Sequence, residues 1–201
     1  MARPRTFEEN EVLERALTVF WNRGYDGTSI EELVQQTGVG RASLYGAFGD
    51  KEHLFQRVVE HYVSKLDDGA LVADTPRSAR NLLEVLMARR VSMLCPQTGP
   101  RGCFLLLSGT SGGSAELTRE MLARAMVQTR ELMEAILRRA QREGALGLHE
   151  DVGVLAQFLV VVLQGIAASA RAGVSTQELS SVAQLAVERV LGPGSPPSVL
   201  P

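Results

Sequence analysis

Among residues 28–55, TSIEELVQQTGVGRASLYGAFGDKEHLF, the side chains that could do recognition chemistry are Arg41, Ser43, Tyr45 and Lys51. A guanidinium donates two parallel hydrogen bonds to the acceptor edge of guanine, and it binds phosphate as readily. Arg41 therefore suits base reading or backbone anchoring. The Ser43 hydroxyl serves a base or a phosphate. Farther out, Arg3 and Arg5 flank Pro4 in an N-terminal arm, where guanidinium groups reach a minor groove or simply solubilise the terminus. Such groups recognise a sequence only when a rigid element carries them into a groove, so the elements around them decide the reading.

Those elements are two short helices joined by a tight turn. Thr28 is placed to cap the first helix, with Glu31 three residues later closing a capping box. Ile30, Leu33 and Val34 share a face, and Gly38 ends the helix where a left-handed turn costs least. Val34, Gly38 and Leu44 hold the apolar, glycine and apolar places of a helix-turn-helix. The second helix presents Arg41, Ala42, Ser43, Tyr45 and Gly46 as a polar outer surface, while Leu44 and Phe48 belong to the core. A short helix of that kind fits a DNA major groove.

The segments FWNRGYDGTSIEELVQQTGV, GRASLYGAF and GDKEHLF resemble the tetracycline-repressor (TetR) family of bacterial one-component regulators, at motif quality over residues 7–62. The run from Ser43 to Glu52 matches the family's S-L-Y-x-x-F-x-[DS]-K-E pattern. The resemblance implies a phosphate contact at Thr28, backbone contacts from Tyr45 and Lys51, and a homodimer whose two recognition helices read a palindromic double-stranded operator. It further implies a repressor, with an effector pocket among the C-terminal helices whose occupancy moves the reading heads apart. Gly46 departs from the family, which often has histidine or another long side chain there. Reach is lost, and specificity shifts toward Arg41, Ser43 and DNA shape.

The chain has 201 residues and a formal charge of −2, unusual for a DNA binder. Residues 1–65 hold eight Lys/Arg against ten Asp/Glu, so local placement of charge has to do what net charge does not. Arginine outnumbers lysine 19 to 2, which reflects a GC-rich genome more than function. The N-terminus is charged and polar through Glu14, unlike a signal peptide. Two cysteines fit a reducing cytoplasm. The apolar stretch Leu155–Ala170 is interrupted by glutamines and reads as too short to span a bilayer, so no membrane partner is expected.

Helical periodicity runs through the rest, and the fold class is all-α: an N-terminal three-helix DNA-binding domain (1–49), a C-terminal helical effector-binding and dimerisation domain (50–192) and a disordered Pro/Ser-rich tail (193–201). Thr6 and Glu9 form a capping box before a face of Val12, Leu13, Ala16, Leu17, Phe20 and Trp21. Asp50 caps a fourth helix, Thr75–Pro76 starts another that runs to about Leu94, and Cys103–Leu107 is a short one. A long helix over 114–143 carries the stripe Leu117, Met121, Leu132, Ile136 and Ala140. Helices at 151–172 and 176–191 follow, the latter with a Ser175/Glu178 capping box. The first of these is apolar on most sides, and the two offer Leu155, Phe158, Leu159, Val162, Ile166, Leu179, Val182 and Leu185 as a dimer interface; a buried monomer core is the plainer reading.

His61, Tyr62, Met93, Phe104, Met121, Met126 and Phe158 are the candidate lining of the implied pocket, or plain helical core. No charged cluster accompanies them, which points to a small apolar or aromatic effector. Cys103 follows Gly102 and Arg101 at the expected start of a helix, where a thiol pKa falls. Its P-x-G-C-F context resembles a TetR subgroup that senses electrophiles or oxidants, with Cys95 eight residues earlier as a partner; the alternative is a small buried hydrophobe. No His/Cys pair falls at metal-ligand spacing, no cofactor motif is present, and Gly109–Ser114 lacks the ending of a phosphate loop. With no catalytic constellation, an enzyme is not expected. An all-helical interaction module without DNA binding would leave the polar face of Arg41, Ser43 and Tyr45 without a purpose.

Overall fold

In the computed structural model every described element is helical. The structure describes residues 8–66, 68–69, 77–108 and 115–192. In chain order the helices are α1 (Glu9–Arg23), α2 (Ile30–Thr37), α3 (Arg41–Phe48), α4 (Lys51–Ser64), α5 (Ala79–Leu94), α6 (Phe104–Ser108), α7 (Ala115–Arg142), α8 (Val152–Arg171) and α9 (Thr176–Leu191). Arg3, Arg5, Thr6, the Thr75–Pro76 start and the tail from 193 lie outside the described residues. Two compact units emerge, Met1–Asp67 with Phe104–Ala125, and Asp68–Cys103 with Met126–Pro201.

In the first unit α1 packs against α2 and α4, and α3 against both α2 and α4. The expected stripe of α1 is buried through Val12, Leu13, Ala16, Leu17 and Phe20. The same unit also buries Leu33 of α2, Leu44 and Phe48 of α3, and Leu54, Phe55, Val58, Val59 and Tyr62 of α4. Each such side chain is worth about 1.5–3 kcal/mol relative to exposure, so these short helices are held by packing more than by propensity. Phe20, Tyr25, Phe55, Trp21, Tyr62 and Phe104 form a continuous aromatic cluster with centroid separations of 5.0–6.2 Å.

The caps correct three sequence expectations. Glu8 precedes α1 without a side-chain cap bond. Ser29, not Thr28, caps α2, its hydroxyl accepting from the Glu32 amide at 3.1 Å. Ser78 caps α5, accepting from the Asn81 amide at 3.3 Å. Asp50 and the Ser175/Glu178 box perform as expected.

In the second unit α5 packs against α8 and α9, and α8 against α9. Arg80 Nη2 donates to the Leu191 and Gly192 carbonyls at 2.7 Å each, while Arg101 Nη2 donates to Val174 O at 2.8 Å. These bonds tie opposite ends of α5 and α9, which therefore run antiparallel. Asp68, buried, pairs with Arg89 at 2.9 Å and Arg90 at 2.8 Å. The Glu143 carboxylate accepts from the Ala79 amide at the start of α5, which holds its pKa below the usual range, with Arg139 assisting.

On α7 the buried apolar positions are Ala125, Met133, Ile136, Leu137 and Ala140; Leu132 is only partly buried, one residue out of register. With 20 residues, α8 is long and apolar enough to cross a membrane by composition, so the expected exclusion on length fails. Its buried side, Val152, Ala156, Leu159, Leu163, Ile166 and Ala170, is part of the second unit's core. Leu159, Ile166 and Leu179 are 0%, 2% and 3% exposed, and so have no surface left for a partner. Val154, Phe158, Val161, Val182 and Leu185 are the large apolar side chains that these two helices leave in solvent.

Candidate nucleic-acid interface

The turn between α2 and α3 is built by Gly38, whose φ of 73° and ψ of 10° place it in the left-handed region, with its amide on the Val34 carbonyl. Arg15 of α1 donates to the Thr37 carbonyl at 3.1 Å and so satisfies the end of α2 from outside. Thr37 Oγ1 donates to Leu33 O at 2.6 Å and accepts from the Val39 amide. With its last turn tied down, α2 fixes the entry of α3.

α3 buries only Leu44 and Phe48. Arg41, Ala42, Ser43, Tyr45 and Gly46 are all exposed, as the candidate interface requires, and a Cβ at Gly46 would meet nothing. The Arg41 guanidinium is not idle: Nη2 pairs with the Glu31 carboxylate from the first turn of α2. Glu31 is thus an ion-pair partner of the next helix and not the closing residue of a capping box, a contact ten residues apart that helix-start patterns do not reveal. Glu32, next to it, pairs with Arg23 at 3.2 Å.

Lys51 opens α4 with its ammonium 4.3 Å from the centre of the Tyr25 ring. Burial pushes Lys51 below its ordinary pKa, partly offset by Asp26. Burial, followed by Glu52, Asp50 and Asp26, pushes Tyr25 up. A cation over a ring face is held in place without losing its charge. Asp50 sits low because the His53 amide and ring bond to it. Thr28 is buried and donates to Gly24 O at 2.7 Å, so its hydroxyl is spent inside the protein. It is displaced from the helix end that was to hold phosphate; Ser29 takes the end position.

The candidate effector residues divide between the units. Tyr62 and Phe104 belong to the aromatic cluster, where the Trp21 Nε1 is buried without a hydrogen-bond partner. His61 pairs with Glu14 at 2.9 Å, and Lys65 joins the same carboxylate. Met126 accepts from Gln164 Nε2 at 3.4 Å, Met93 and Met121 are partly buried, and Phe158 is 43% exposed rather than enclosed. None of the seven lines the groove of about 930 Å³ in the second unit. Cys95 is buried and Cys103 partly exposed just before α6; neither is in a disulfide. Among the described residues no group of His, Cys, Asp and Glu is placed to hold a metal.

The family model "Bacterial regulatory proteins, tetR family" matches residues 12–58, and "Tetracyclin repressor-like, C-terminal domain" matches residues 78–186. The chain belongs to the TetR family. It is a helix-turn-helix transcriptional regulator and not an enzyme. This TetR-family regulator is 31% identical to the transcriptional repressor ComR of Escherichia coli K12 over 90% of its own length and 88% of that protein's. It is 29% identical to the repressor AcnR of Corynebacterium glutamicum over 90% of each chain. Among solved structures it is similar to a cysteine-mutant form of the TetR-family regulator CifR complexed with 26-base-pair operator DNA. There the TM-score is 0.79 and the identity 32%, covering 92% of this chain and 98% of that one.

Proposed function

We propose that this regulator is a homodimeric one-component repressor that binds a palindromic operator through residues 1–49 and is released by a small apolar effector bound within residues 50–192. The observation that carries the reading is the exposed face of α3, with Arg41, Ser43 and Tyr45 outward on a helix anchored by Leu44 and Phe48. Arg41 reads a base, Tyr45 and Lys51 hold the duplex backbone, and Ala42 and Gly46 let α3 approach closely. Its similarity to a regulator solved on operator DNA supports the same mode of binding. The exposed apolar side chains of α8 and α9 support the dimer, which sets two reading heads about 34 Å apart. A protein of this kind works in the cytoplasm.

A second reading makes Cys103 a thiol switch, supported by its partial exposure and by Cys95 at the other end of the same loop. Mobility shift of the purified protein on the DNA upstream of its own gene tests both readings. The first expects a specific shift indifferent to mild oxidant. The second expects a shift lost on oxidation in the wild type and retained in Cys103→Ser. Absence of any specific shift overturns the DNA-binding assignment.

A further inference from the structure

The groove of about 930 Å³ in the second unit runs between α5 and α9 and ends at the loop over residues 95–101. Its floor is apolar, with Met87 and Val91 from α5 and Val187 from α9, all nearly fully buried. Only two of its lining residues are charged, Arg101 beside the start of α9 and Glu84 at the far end. From Glu84 to Leu94 the helix rises about 15 Å at 1.5 Å per residue.

The two ends differ in what they lack. Glu84 has Arg80 at 3.7 Å. Arg101 pairs with no carboxylate among the described residues; its Nη2 is on the Val174 carbonyl, and its Nε is buried without a partner. A cation drawn out of water without an anion is costly, and a bound anion offsets that cost. The guanidinium is also held in place. Gly102 next to it has φ +95°, and a Cβ there would lie 3.0 Å from the Ala167 carbonyl oxygen, so the loop seats directly on α8. The Gly102 amide closes the loop on Leu94 O at 2.8 Å.

We propose that this groove binds an amphipathic monocarboxylate. The carboxylate sits at Arg101 with the hydroxyls of Thr176 and Ser180 beside it, and the apolar body lies along Met87, Val91 and Val187. Glu84 disfavours the reverse orientation. The volume is within the ~300–1,000 Å³ of small-molecule sites. The groove shares no residue with the candidate effector set. At ~100° per residue, Ser180 and Gln184 face one side of α9, and Val182 and Leu185 the other. A dimer made through the latter pair leaves the groove open.

Calorimetric titration of the full chain with decanoate, decan-1-ol and decyltrimethylammonium, each below its micelle concentration, tests the assignment. One saturable decanoate site is expected, at least tenfold weaker for the alcohol and absent for the ammonium. Arg101→Met should weaken decanoate at least tenfold. Because Arg101 also anchors Val174, Ser180→Trp provides an exposed substitution that fills the groove without removing a structural bond, and it should abolish binding. Unchanged affinity in either variant, equal affinity for the three head groups, or no saturable decanoate site would each overturn the proposal.

Discussion

One guanidinium, Arg41, pairs with the Glu31 carboxylate in the free protein, and in the proposed complex it exchanges that partner for a guanine or a phosphate. Both residues of the pair are more than half exposed, so the ion pair is worth only ~0.2–1 kcal/mol. Glu31→Gln is expected to tighten DNA binding by about twofold to fivefold, read by fluorescence anisotropy; weaker binding would instead make Glu31 a support that orients Arg41. Arg41→Ala separates base reading from anchoring. Loss of a bidentate base contact costs ~1–3 kcal/mol on the operator with little change on unrelated DNA. A phosphate contact would weaken both equally and lower the salt slope by about one. Tyr45→Phe, which removes a hydroxyl at a 39%-exposed position, should weaken operator binding while thermal stability is unchanged.

The elements around α3 set how much of this survives stress. Leu33, fully buried in α2, holds the turn from behind. Leu33→Ala should cost ~2–5 kcal/mol in denaturant unfolding and abolish DNA binding with it. α1 and α4 are also joined through Glu14, which receives His61 and Lys65. Burial alone would raise the Glu14 pKa, but the hydrogen bonds from Lys65 and His61 outweigh it and hold the carboxyl low. A carboxyl depressed on folding contributes stability above its unfolded pKa and loses it as pH falls through the folded value. Glu14 therefore stabilises at neutral pH, and its contribution begins to fall at the ordinary carboxylate pKa of about 4 and is gone below the depressed folded value. Thermal melts of the wild type and Glu14→Gln should converge in that acidic range and differ above it by no more than ~1 kcal/mol, since the side chain is half exposed.

For the whole molecule, the decisive property is which apolar side chains are still in water after each unit has folded. Val182 and Leu185 are 46% and 50% exposed on α9. A Val182→Glu, Leu185→Glu double variant should sediment as a folded monomer with unchanged helical circular dichroism and lose operator binding, because half-sites one turn apart need two heads. Leu159→Ala should do the opposite, lowering stability by ~2–5 kcal/mol without a specific shift to monomer. Equal sedimentation of the double variant and the wild type would remove these helices from the interface.

Much of this protein was legible in one dimension. Helix periods, the Gly38 turn, the inward Leu44 and Phe48, the Asp50 cap and the Ser175/Glu178 box depend on neighbours within about four residues, and that is the range over which sequence patterns speak. The family motif settled the fold class for the same reason. Position in three dimensions was not legible. Thr28 and Ser29 are both hydroxyl residues at a helix start, and only backbone geometry decided that Ser29 caps while Thr28 turns back to Gly24. On an all-apolar helix such as α8, periodicity cannot tell Leu159, covered by its own chain, from Phe158, left in solvent; the packing of α5 and α9 made that choice. The pairing of Arg41 with Glu31, ten residues away, and the seating of Arg101 over its groove arise where separate helices meet. Contacts of that kind are set by tertiary packing, and no local pattern encodes them.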